Sequence, residues 1–465
     1  MKNPFALIKG HSATCLIASV MLLTGATKAI SVTLDDYVWQ GLESDITLQQ
    51  SRLTREKSHQ AVREARGKFL PSLSLAVQAN ESDGNVLDLG KMMNPVYSTL
   101  NQMIGRPVYP TDVKATIPQA RQVTLQMIQP IYQSALYENF ALRSDLNQAD
   151  EAAEEIKARE VVVNIKTAYF NYAKSSKVVE FFQNMRRLLE ENLRVAKTLV
   201  ESGRATSEAI FRARADLAEV QQRLSESIVL RTNAERYFNT MLDRPLDALI
   251  EMDTTLISSI CQAADSSSSI EGSVAFASMH REEYDQINHY IAASKHGVGI
   301  ARSSFIPSAA LVLTRGYEGE KFDLNGNKGY SVLTVKMNWN LFNGFQDNAR
   351  SEQARIDRRS LELQKQHIDQ MLELQVHKSL DDVRVSREGI KTAEERLTAA
   401  KSSWEITKKK YGQGESSQIE YIDARTAFSN AEINEIVTKY DYLIQCANLE
   451  RALGSYPINT NKEAR

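Results

Sequence analysis

Proline is missing where it would interrupt. None of the chain's 10 prolines falls between Pro130 and Pro245, or between Pro307 and Pro457. Glycine thins out in the same places: Ser134 to Ser202 has none, and Phe345 to Tyr411 has only Gly389. Both residues break helix interiors, so neither stretch carries a built-in stop. Long hydrophobic runs are also missing. Beyond the N-terminus no segment reaches 18 apolar residues, which excludes transmembrane helices. Charge is nearly balanced, 56 basic residues against 58 acidic, with no basic block for nucleic acid. Catalytic signatures are lacking as well: no H-E-x-x-H, no paired C-x-x-C, no Walker loop, no G-x-S-x-G. The lone Gly-x-Gly in "YGQGES" from Tyr411 has no strand before it and reads as a turn. His280, His289 and His296 are too scattered for a metal site and read as surface or joint packing. The expectation is a non-enzyme without a cofactor.

The N-terminus says where the protein works. Lys2 and Lys9 precede the apolar run "CLIASVMLLTGA" (Cys15 to Ala26). Thr27 and Ala29 then fit a signal-peptidase site. Residues 1–29 are expected to be a signal peptide, and its loss takes the formal charge from −2 to −5. Two cysteines then remain, Cys261 and Cys446. An exported chain permits a disulfide, but two separate buried thiols is the favoured reading.

The two gaps in proline are rich in Ala, Glu, Lys, Arg, Gln and Leu, the strong helix formers. Apolar residues recur there at helical spacing, as in Leu361, Ile368, Leu372 and Val376. Each gap therefore predicts one helix near 70 residues, on the order of 100 Å long. Such helices must pair side by side to bury their stripes. Each ends at a glycine turn, and a second helix returns, over about 207–241 and 417–453.

Strands precede each long helix. "FLPSLSLAVQA" (Phe69–Ala79), "VTLQMIQPIY" (Val123–Tyr132), "FIPSAALVLTR" (Phe305–Arg315) and "LTVKMNWNL" (Leu333–Leu341) alternate apolar with polar. Period two over about ten residues fits a tilted outer-membrane strand. The halves align, Pro71 with Pro307 and Met127 with Met337. The expected organisation is a first repeat over 30–244, a joint over 245–279 with Ser266–Ser269 as its loosest part, a second repeat over 280–454, and a tail over 455–465. Four strands cannot close a barrel, and an open edge is not allowed in lipid. If the chain transports anything large, three copies and twelve strands are the smallest solution.

These features together resemble the TolC family of outer-membrane efflux channels, over nearly the whole chain after residue 29. The resemblance rests on the duplicated order, the paired "F-x-P-S" strand starts, "NWNLFNGF" before the second long helix, and the two tips. It implies a mainly α protomer with four β-strands and two long-helix hairpins. It also implies a homotrimer with a twelve-stranded β-barrel in the outer membrane of a Gram-negative bacterium, above a periplasmic α-helical barrel. The implied partners are a periplasmic adaptor, an inner-membrane efflux pump or ABC exporter, and outer-membrane lipid.

The tips carry the site residues. "GRATSEAIFRARADLAE" from Gly203 and "GESSQIEYIDARTAFSN" from Gly414 repeat one phrase, each with an Ala-Arg pair. Only the second holds two carboxylates at helical spacing, Glu420 and Asp423; the first has Ala209 and Arg212 there. Carboxylates at i and i+3 share a helix face, and three copies would form a ring that favours cations. Crowding would raise some of their pKa values. The family places its selectivity constriction at these positions, which makes Glu420 and Asp423 the candidate gate. The alternative is a solvated acidic face. The family's latch pairs a tyrosine and an arginine of the second tip with an aspartate of the first. Tyr411 fits, but Ser416 and Ala209 replace the other two, so Arg204 and Glu208 become candidates for a different latch. Gly203, Ala205, Gly414 and Glu415 are the candidate adaptor contacts, with helix capping as the alternative role of the glycines. The connection over 80–122 reads as a long extracellular loop, either a constriction of the outer mouth or surface cover. The favoured function is the exit duct of a drug or small-molecule efflux pump. A type I protein-secretion duct and, third, a periplasmic coiled-coil scaffold remain as alternatives.

Overall fold

The computed structural model describes residues 33–79, 89–113, 121–252, 270–319, 329–413 and 415–458. The expected signal peptide, Ser266–Ser269, Cys261 and Gly414 lie outside them.

Two helices of 68 residues dominate, α4 (Ser134–Glu201) and α8 (Gln346–Gln413). Their returns are α5 (Ser207–Met241) and α9 (Gln418–Leu453). At about 1.5 Å per residue each long helix spans roughly 100 Å. Ahead of them lie α1 (Leu34–Ser44) and α2 (Ile46–Gly67), then α6 (Ile270–His280) and α7 (Glu282–Arg302). The α6 helix occupies the end of what the sequence marks as a joint.

Four strands, β1 (Ser72–Ala79), β2 (Arg121–Tyr132), β3 (Ser308–Gly319) and β4 (Gly329–Asn338), form one antiparallel sheet in sequence order. β1 and β4 are its open edges. Register puts Leu75 beside Leu125, Met127 beside Leu313, and Leu313 beside Leu333 on one face. Ser74, Gln126 and Thr314 line the other. The apolar side chains stay in the open, with Leu73, Leu75, Leu333 and Val335 each more than 60% exposed. A soluble protein would bury such a face. Below the sheet come aromatic groups: Phe69 packs edge-on against Tyr137, and Trp339 donates its indole N–H to the Phe305 carbonyl. Among the described residues no helix is long and apolar enough to cross a membrane.

The expected loop over 80–122 contains a helix, α3 (Leu89–Ile104), with Pro95 inside it. Two asparagines tie its return segment down. Asn101 Oδ1 accepts the N–H groups of Val108 and Tyr109, and Asn94 exchanges two bonds with the Val113 backbone.

The main core sits midway along α4. Val161, Val162, Ile165, Tyr169 and Phe170 pack there against Tyr37 and Val38 of α1, Phe238 of α5 and Leu443 of α9. Beside it, ion pairs bind the second half together. Arg281 is buried and donates to Glu283, to Gln375 of α8 and to the Ala452 carbonyl of α9. Arg451 reaches Glu283 at 2.9 Å. The Arg281 and Arg451 guanidinium groups outweigh the cost of burial and hold the Glu283 carboxyl down to about 2. Arg159 of α4 donates to both oxygens of Glu282 at the start of α7, so the two halves of the chain meet at this level. His280 stacks on Phe276, and His296 sits between Glu138 and Asp145.

One expectation is corrected here. Cys446 is not a free thiol: it is buried and disulfide-bonded. Spacing carries no signal for such a bond. The other cysteines, Cys15 and Cys261, lie outside the described residues.

Candidate functional site

The two hairpin tips are the far end of the molecule from the sheet. At the first, α4 terminates in a paired cap: Gly203 N–H donates to Val200 O and Arg204 N–H to Leu199 O. That geometry needs a left-handed residue after the last turn, and Gly203 supplies it at φ +70°. Arg204 is exposed and Ala205 half-buried. Glu208 pairs with Arg212 one turn along its own helix, at 3.0 Å. It does not pair with Arg204, so the latch sketched from the sequence is not formed within the chain.

At the second tip, Glu415 is exposed and its N–H donates to the Lys410 carbonyl. Ser417 then caps α9. Its hydroxyl accepts the Glu420 N–H at 3.2 Å, while the Glu420 carboxylate accepts the Ser417 N–H at 2.8 Å and the Ser416 hydroxyl at 2.7 Å. These bonds are a capping box. They push the Glu420 carboxyl below its ordinary range, the Ser416 hydroxyl contributing most. Within one chain the sign is therefore opposite to the rise expected from carboxylate crowding, because the nearest groups are donors. The first tip has Thr206 and Ala209 at the matching positions and forms no side-chain cap. Asp423 lies one turn further on. It is exposed, and among the described residues no bond holds its carboxylate.

Tyr411, the candidate latch tyrosine, stacks on Tyr421 with ring centroids 4.7 Å apart and planes 30° apart. Trp404 also packs on Tyr421, tilted by 53° with ring centroids 4.7 Å apart. A contact between the hairpins near the tip comes instead from Arg425, which the sequence offers only as part of a repeated Ala-Arg pair. Its guanidinium packs on Met185 Sδ of α4 at 3.2 Å. Burial lowers its pKa and raises that of Asp216 on α5, and the attraction between the two opposes both shifts. Arg214 sits at the matching position of the first tip and is exposed. One hairpin thus reaches into the other, without reciprocity.

The comparisons with known proteins agree with this architecture. Residues 280–455 match the outer membrane efflux protein family. TolC of Escherichia coli (strain K12) is 22% identical over 455 residues, covering 90% of this chain and 84% of TolC. Two solved structures share the fold. CusC superposes with a TM-score of 0.77 at 15% identity, over 91% of this chain and 92% of its own. VceC of Vibrio cholerae gives 0.73 at 15% identity, over 90% and 96%. Members of this family are outer-membrane channels, which fits the exposed apolar sheet, the aromatic row beneath it and the long helices below. Over residues 280–455 the chain thus carries the pattern of the outer membrane efflux protein family, and as a whole it has the fold of the TolC-like channels, with its sheet in the Gram-negative outer membrane and its helices in the periplasm.

Proposed function

We propose that three copies close their sheets into a twelve-stranded barrel and act as the exit duct of a tripartite efflux pump for drugs or small molecules. The carrying observation is the open sheet itself. Among the described residues its two edges have no partner strand, and in lipid an unpaired edge is too costly to keep. Pairing β4 of one copy with β1 of the next removes every edge. The helical hairpins then wall a duct roughly 100 Å deep, with the tips at its periplasmic entrance.

At that entrance Asp423 and Glu420 act as the gate. Asp423 faces the opening as a free carboxylate, while Glu420 adds charge from within its cap. Gly203, Ala205, Gly414 and Glu415 form the rim against which a periplasmic adaptor docks, and the adaptor joins the duct to an inner-membrane pump. Arg425 and Asp216 take the place of the latch that Tyr411, Arg204 and Glu208 do not make within one chain.

Two measurements test this reading. Native mass spectrometry in detergent should find a trimer. A strain lacking the protein should accumulate efflux dyes and release none of them until the gene is restored. A strain that clears dyes normally but retains a secreted polypeptide would shift the assignment to type I secretion.

A further inference from the structure

On the apolar face of the sheet, β3 runs Ala309, Leu311, Leu313 and then Arg315. The register fixes this placement, since Arg315 pairs with Leu125 on one side and Ser331 on the other. Arg315 is exposed, and among the described residues no hydrogen bond or ion pair engages its guanidinium. No carboxylate among the described residues shares the face. Arg121, at the outward end of β2, adds a second positive charge to the same face, opposite Gly319.

An arginine on a lipid-facing position is costly at the membrane midplane and nearly free at its borders. Depth therefore decides what Arg315 meets. Trp339 marks the inner border, just past Asn338, the register partner of Ser308. From that level to Arg315 the strand climbs roughly 20 Å, at about 3.3 Å per residue and a tilt near 40°. The apolar band of such barrels is about 25 Å tall. Arg315 thus lies within roughly 5 Å of the outer border, a distance its long side chain spans to reach the lipid headgroups. A planar guanidinium without a protein partner there matches an anionic phosphate in a two-pronged bond.

We propose that Arg315 binds the headgroup phosphate of an outer-leaflet lipid, one site per chain around the barrel. The inference rests on the membrane placement of the sheet and extends the duct reading to a specific lipid contact. Its occupant is an acylated molecule with an anionic phosphate, whose chains lie along Leu311, Leu313 and Leu333.

Native mass spectrometry of the detergent-solubilised protein tests it, using lipid A with its phosphates, the same lipid dephosphorylated, and inorganic phosphate. Wild type should retain phosphorylated lipid A at one per chain and bind the dephosphorylated form about tenfold more weakly. Arg315→Gln should lose that tenfold preference while keeping the wild-type oligomeric state, and Arg315→Lys should restore part of it. Lys336→Gln, on the opposite face of the sheet, should leave binding unchanged. Equal retention by wild type and Arg315→Gln would overturn the proposal, as would indifference to the lipid phosphates. Displacement of the lipid by inorganic phosphate would overturn the assignment of a lipid as the occupant. A monomer that takes up no lipid of any kind would refute the membrane duct itself, a different failure from losing the preference.

Discussion

Ser417 and Glu420 hold each other across the first turn of α9, the hydroxyl of one on the backbone of the other at 3.2 Å and the carboxylate in return at 2.8 Å. The second tip is therefore charged at this position for a local reason, whatever the gate proposed for it adds. Glu420→Ala should loosen the start of α9. Amide exchange at Glu420 and Tyr421 should quicken, while exchange in the middle of the helix stays unchanged. Because the folded carboxyl lies below its ordinary value near 4.5, its contribution is complete above that value. It is lost as the pH falls through the depressed one. Exchange in wild type should then approach that of the variant in acid.

Glu283 offers the larger acid effect. Its carboxyl lies between Arg281 and Arg451 and is held down to about 2. Glu283→Gln leaves two guanidinium groups facing each other in a partly buried place, which should cost about 3 kcal/mol. The depressed pKa means that the pair's stabilisation is full above about 4.5 and fades as the pH falls toward 2. Thermal unfolding should show a wide gap between wild type and variant at pH 7 and a narrow one near pH 2.5. A gap independent of pH would remove the charge from this explanation.

Much of this architecture was legible before any coordinates. The absence of proline and glycine marked α4 and α8 to within two residues at each end, since nothing else can run so far without a turn. Alternation placed the strands because the two faces of this sheet meet different solvents. Other features left no periodic signal. The connection over 80–122 reads as loop, while α3 forms within it around Pro95 and is tied down by Asn94 and Asn101, bonds that depend on a return segment seven or more residues away. The carboxylate pair at the second tip was visible, but not that Ser416 and Ser417 would claim one member. Arg425 was visible as a repeat and not as a bridge, because its partners Met185 and Asp216 lie over 200 positions earlier.

Gly203 sits at φ +70°, a conformation that costs a residue with a Cβ about 1 kcal/mol. Gly203→Ala should open the cap that ends α4. Faster exchange of the Arg204 amide, now bonded to Leu199 O, would report it. On the adaptor reading, capture of the adaptor should also weaken. Normal capture with an opened cap would leave Gly203 a purely structural role.

Arg425→Ala removes a side chain that crosses from α9 to α4 near the tip. Asp216, already raised by burial, loses the opposing attraction. The hairpins should separate more readily, seen as faster amide exchange around Met185 in Arg425→Ala than in wild type. Unchanged exchange there in folded protein would refute the bridge.

The central claim is a duct whose narrow end is set by Asp423, and single-channel conductance in a planar bilayer tests it most directly. Wild type should show a small, cation-selective conductance. Asp423→Asn should abolish most of that selectivity, Glu420→Gln should reduce it less because the cap holds that carboxylate, and the double substitution should leave none. A clear conductance whose size and selectivity ignore all three variants would contradict a carboxylate gate at this tip.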